Sequence, residues 1–126
     1  MSYFRFLAPA ILFLISAGSA TAQHMNTSGS RCANDGGNAD VRNCYERERQ
    51  AADRDLNVVY GQTMNALGRD ERPKLVQAQR AWLRYRDLFC SAEQSPYAGG
   101  TAWDTVLVAC LAVLTRQQAK ALRDAF

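Results

Sequence analysis

Few residues in this chain are equipped for chemistry. There are four cysteines, Cys32, Cys44, Cys90 and Cys110, and a single histidine, His24. The run LVQAQRAWLRYRDLFC, Leu75 to Cys90, sets Trp82, Arg86 and Cys90 four residues apart. Thiols can bind zinc, attack as nucleophiles or pair as disulfides. Structural zinc favours close pairs such as C-x2-C, and none is present. An even cysteine count in an exported chain reads instead as two disulfides, which leaves no free nucleophile. His24 stands alone, and a base needs a positioned partner. Asp53 and Asp55 are two apart, so on a helix they face different ways and cannot act as paired carboxylates. No phosphate-binding loop or metal-ligand cluster is visible. The expectation is a protein that is not an enzyme and uses no cofactor or metal.

Four-residue spacing stacks Trp82, Arg86 and Cys90 along one helix face. Arg86 can lie over the Trp82 ring as a cation–π pair and can reach an acid on a neighbouring helix, with Asp53 the first choice. Trp and Arg are also enriched at the centres of binding interfaces. Because these two share the apolar stripe, they are assigned to packing. Asn57 is assigned as an interhelix hydrogen bonder on the same reasoning.

The elements that position these residues read as three helices. The first spans about 39–67, capped by Asn38 or Asp40. Its apolar face is Val41, Tyr45, Ala52, Leu56, Val59, Tyr60, Thr63 and Leu67, and Gly68 ends it. A second spans about 71–94, with Asp70 as cap and Pro73 in the first turn, where no amide donor is needed. Its stripe is Leu75, Ala78, Trp82, Arg86, Phe89 and Glu93, with Leu83 and Cys90 beside it. The third follows a near capping box at Thr101–Asp104 and runs to about Ala125. Its expected inner face is Leu107, Cys110, Leu111, Leu114, Gln118 or Ala119, and Leu122. Ser95, Pro96, Tyr97, Gly99 and Gly100 lie in the connection between the last two helices. The fold class is all-α: a small antiparallel helical hairpin or bundle of about three helices with two disulfides. Several pairings are open to four cysteines. A hairpin through the 95–101 connection would bring Cys90 to Cys110, leaving Cys32 to tie down on Cys44.

Residues 1–22 read as a secretory signal peptide: Arg5, a short apolar core from Leu7 to Ile15, then Ala20 and Ala22 at small-residue positions. The core is too short, and too broken by Pro9, for the roughly 20 apolar residues of a membrane span. Residues 23–38 are rich in Gly, Ser and Asn and read as a flexible leader, with the helical domain at 39–126. The expected location is the bacterial periplasm or exterior, with no membrane association after signal cleavage. Net charge is only +3, with signs interspersed as in Glu46-Arg47-Glu48-Arg49. A nucleic-acid binder would carry a basic stripe, so nucleic acid is not expected as a partner.

Two runs carry a resemblance. Asp53 to Tyr60 gives D-x-x-L-N-x-x-Y, and Ala78 to Cys90 gives A-Q-x-A-W-x-x-Y-R-x-x-x-C. Gly99-Gly100-Thr101, Cys110, Leu114-Thr-Arg116 and Leu122 follow. From about Cys32 to Leu122 the chain resembles the LprI-like lysozyme-inhibitor domain of bacterial secreted proteins. That resemblance implies an all-helical, disulfide-bonded extracytoplasmic domain that binds a protein, with a lysozyme-type muramidase as the target. The founding inhibitor is a lipoprotein, whereas this chain has no cysteine at its expected cleavage site. The site expected for such binding is the 95–100 connection, with Tyr97 presented between Pro and Gly. An envelope stress or assembly factor with another periplasmic partner is the alternative function.

Overall fold

The structure, a computed structural model, describes Cys32 and residues 36–126. The expected signal peptide and most of the leader lie outside the described residues. Three helices make the fold: α1 (Asn38–Ala66), α2 (Arg72–Gln94) and α3 (Trp103–Ala125). A short 3-10 turn, Ser95–Tyr97, continues α2 into the last connection. No strand occurs among the described residues, so the class is all-α.

The helix starts differ from the sequence expectations. Gly37 caps α1, and Asp40 acts from inside the first turn, where its carboxylate accepts the Gly37 N–H at 3.4 Å. Its negative charge also suits the positive end of the helix dipole. At α2 the cap is Glu71, not Asp70; the Glu71 carboxylate accepts the Gly68 N–H at 2.9 Å. The α3 capping box does not form, because the helix begins one residue later than that motif requires, with Ala102 rather than Thr101 at the cap.

The central element is α3. It runs parallel to α1, as two ion pairs of equal register show: Arg116 with Glu48 at 3.0 Å, and Arg123 with Asp55. Against α2 it runs antiparallel: the Gln118 amide donates to Gln79 at 3.0 Å, Cys110 bonds Cys90, and the Gln94 amide donates to the Trp103 carbonyl at 3.0 Å. Two apolar clusters pack against α3. Tyr45, Val108 and Ala109 pack around the Cys32–Cys44 disulfide. Leu56, Val59, Leu75, Ala119 and Leu122 form the second cluster, with Trp82 at its edge.

The deep face of α3 is not the expected leucine stripe. Leu107, Leu111 and Leu114 are only partly buried, while Val106, Ala109, Cys110, Ala112, Thr115 and Ala119 are fully buried. A helix flanked on two sides needs small residues where its neighbours approach most closely. Thr115 keeps its polar atom satisfied by accepting from Arg86 at 3.3 Å.

Candidate functional site

Because α1 and α2 both pack on α3 and scarcely on each other, a groove of about 470 Å³ opens between them. Asp53, Leu56, Asn57 and Tyr60 line its α1 wall, and Val76, Gln79, Arg80, Leu83 and Arg86 its α2 wall. The residues of the D-x-x-L-N-x-x-Y run and the arginine of the second run therefore share one cleft. Helical spacing puts Asp53, Asn57 and Tyr60 along one edge of α1, beside the buried stripe rather than on it.

Arg86 is the most engaged residue there. Its guanidinium carbon lies 5.3 Å from the Trp82 ring centre. One terminal nitrogen, Nη1, donates to Thr115 Oγ1 and lies 3.7 Å from Asp53 Oδ1. Nε and Nη2 donate to Asp87 at 3.0 and 2.8 Å. Asp53 also accepts from Arg49 at 2.6 Å. Asn57 is exposed and lines the cleft, and its side chain makes no hydrogen bond among the described residues. Just outside the cleft, Glu46 accepts a two-pronged hydrogen bond from Arg49 at 2.9 and 2.6 Å and one from Gln50 at 3.0 Å. Arg49 first, and Gln50 second, hold the Glu46 carboxyl at about 2, well below its ordinary 4.5.

A second candidate surface begins on the outer face of α2. The α2 stripe is wider than α3 can cover, so Ala78 and Phe89, expected inside, are exposed. Leu88 is 68% and Tyr85 55% exposed, and the Tyr85 and Phe89 rings stand 5.6 Å apart. Helical spacing gathers Ala81, Tyr85, Leu88, Phe89 and Ala92 on the side away from α3. Sequence reasoning passed over Tyr85 and Leu88; the signal was an apolar arc too broad for one neighbour. This face leads into the 95–100 connection, where Ser95, Pro96, Gly99 and Gly100 are exposed but Tyr97 is partly buried.

That connection is held at its base. Cys90 and Cys110 are bonded and fully buried, with Cα atoms 5.6 Å apart. The Gln94 side chain ties the end of α2 to the start of α3. Gly99 takes a left-handed backbone, φ 75°, which a side chain would strain. Gly100 then donates its N–H to the Tyr97 carbonyl at 3.0 Å.

Three packed helices and two disulfides define a small disulfide-bonded helical domain. The sequence model described as lysozyme inhibitor LprI matches residues 30–122, and the chain belongs to that family. It is an inhibitor family rather than an enzyme family. An uncharacterized protein of Rhizobium meliloti (strain 1021) is 28% identical over 134 aligned positions, covering 95% of this chain and 94% of that protein. No solved structure matches the chain. Among the described residues, no helix is long and apolar enough to cross a membrane.

Proposed function

We propose that this domain is a periplasmic or secreted protein-binding inhibitor of a lysozyme-type muramidase. Membership of the LprI family over residues 30–122 carries the reading. Muramidases of this type cleave with two carboxylates set in a substrate cleft, so an inhibitor must occlude that cleft or those groups. The Tyr85–Leu88–Phe89 face and the adjoining 95–100 connection form the contact surface. Aromatic and leucine side chains supply apolar area, while the disulfide and the Gln94 hydrogen bond preorganise the connection and lower the ordering cost of binding. The two disulfides support an oxidising, extracytoplasmic location.

The test is lysis of bacterial cell walls by a c-type lysozyme, titrated with the oxidised protein. The expected result is saturable, stoichiometric inhibition that Leu88→Asp abolishes and Tyr97→Ala weakens. Absence of inhibition at about 50 µM would remove lysozyme as the target. A second reading, an envelope stress or assembly factor with another protein partner, draws support from the charge. At +3 the chain lacks the acidic field that would steer it to a basic lysozyme.

A further inference from the structure

The α1–α2 groove stands apart from the face assigned to the muramidase, and it has a different chemistry. We propose that it is a second binding site, which takes an acidic segment of a partner protein by its carboxylate side chains. Binding there does not depend on lysozyme inhibition.

Leu56 on one wall and Val76 and Leu83 on the other make the apolar part of the lining. Around it the hydrogen-bonding groups left unused are mainly donors. The Gln79 oxygen accepts from the Gln118 amide, and the Gln79 NH2 donates to none of the described residues. The Asn57 amide and the Tyr60 hydroxyl likewise make no side-chain hydrogen bond among the described residues. The charges sort in the same direction. Asp53, the one acid in the lining, is engaged by Arg49 at 2.6 Å and Arg86 at 3.7 Å. Asp87 further compensates Arg86.

Among the described residues no acid lies within ion-pair distance of Arg80, nor of Arg84, the cation one turn on. Like charges at that spacing destabilise a helix slightly, and an anion supplied from outside would relieve them. A carboxylate fits this arrangement well. It has only acceptors to offer, Arg80 can grip it with two parallel N–H groups, and the amides of Asn57 and Gln79 can complete its shell. A groove of about 470 Å³ also has room for a neighbouring aliphatic side chain between Leu56 and Leu83. That combination describes a short acidic–aliphatic peptide segment.

The experiment is a nitrogen-15 NMR titration of the oxidised protein with acetyl-Glu-Leu-Glu-Leu-amide and with its neutral isostere, acetyl-Gln-Leu-Gln-Leu-amide. The glutamate peptide is expected to move the Asn57 and Gln79 side-chain amides and the Arg80 Nε–H resonance in a saturable way. The glutamine peptide should bind about tenfold more weakly, and Arg80→Gln should weaken the glutamate peptide about tenfold. Arg47→Gln, an exposed cation outside the groove, should leave its affinity unchanged. Absence of saturable shifts up to about 10 mM peptide, equal affinity for the two peptides, or an Arg80→Gln variant that binds as the parent would each overturn the proposal. Because Arg80 lies outside the muramidase face, Arg80→Gln should retain any lysozyme inhibition, so the two readings fail separately.

Discussion

Glu46 and Arg49 show how single residues tune this domain. The two-pronged bond from Arg49 favours the ionised carboxylate, and the folded-state value of about 2 lies below the ordinary 4.5. A depressed carboxyl contributes stability that is fully present above the unfolded value and disappears as pH falls through the folded one. Urea midpoints should therefore drop between about pH 5 and pH 2, and Glu46→Gln should flatten that limb. If the variant and the parent fall in parallel over the whole range, Glu46 is not the group responsible. Arg86 teaches a related lesson. Its placement over Trp82 and toward Asp53 follows from four-residue spacing on α2 and from the pairing of α1 and α2 on one core. Its bonds to Asp87 and Thr115 do not, because they depend on rotamer and on how α3 turns.

At the scale of the helices, the choice of small residues on α3 decides how near α1 and α2 can come. Ala119 has no exposed surface and sits among Leu56, Val59, Leu75 and Leu122. Ala119→Leu should destabilise the fold by about 2 kcal/mol through overpacking, measured by urea unfolding with the disulfides intact. A neutral result would mean that the cluster holds unfilled space. The helix boundaries were legible to within a few residues because Gly68, Pro73 and the Pro–Gly connection punctuate the pattern. The α3 inner face was misjudged for a physical reason. Hydrophobicity alone favours Leu107, Leu111 and Leu114, yet a central helix buries its smallest side chains deepest. On α2 the same one-sided packing exposes Phe89 and Ala78, which periodicity had placed inside.

For the molecule as a whole, the two disulfides make up for a modest core. A chain of this size buries only about two-thirds of its unfolded surface. The Cys90–Cys110 bond spans 20 residues and the Cys32–Cys44 bond 12. Replacing Cys90 and Cys110 together by alanine should cost about 3 kcal/mol, mainly by freeing the unfolded chain. Denaturant unfolding of parent and variant would measure it; an unchanged midpoint would show that helix packing alone fixes the hairpin. The same variant should loosen the 95–100 connection and so weaken any inhibition more than Leu-to-Ala changes on α1.

What the sequence determined by itself is local or covalent. Three amphipathic helices follow from apolar periodicity and from Gly and Pro punctuation, and an oxidised domain follows from four cysteines without metal spacing. The family resemblance travelled in the Asp53–Tyr60 and Ala78–Cys90 runs. Only the tertiary structure decided which surfaces remain open. The groove exists because α1 and α2 each prefer α3 to one another, and the outer α2 face is exposed because one neighbour cannot cover so broad an arc. Those are properties of how three cylinders pack, and no single helix carries them in its own pattern.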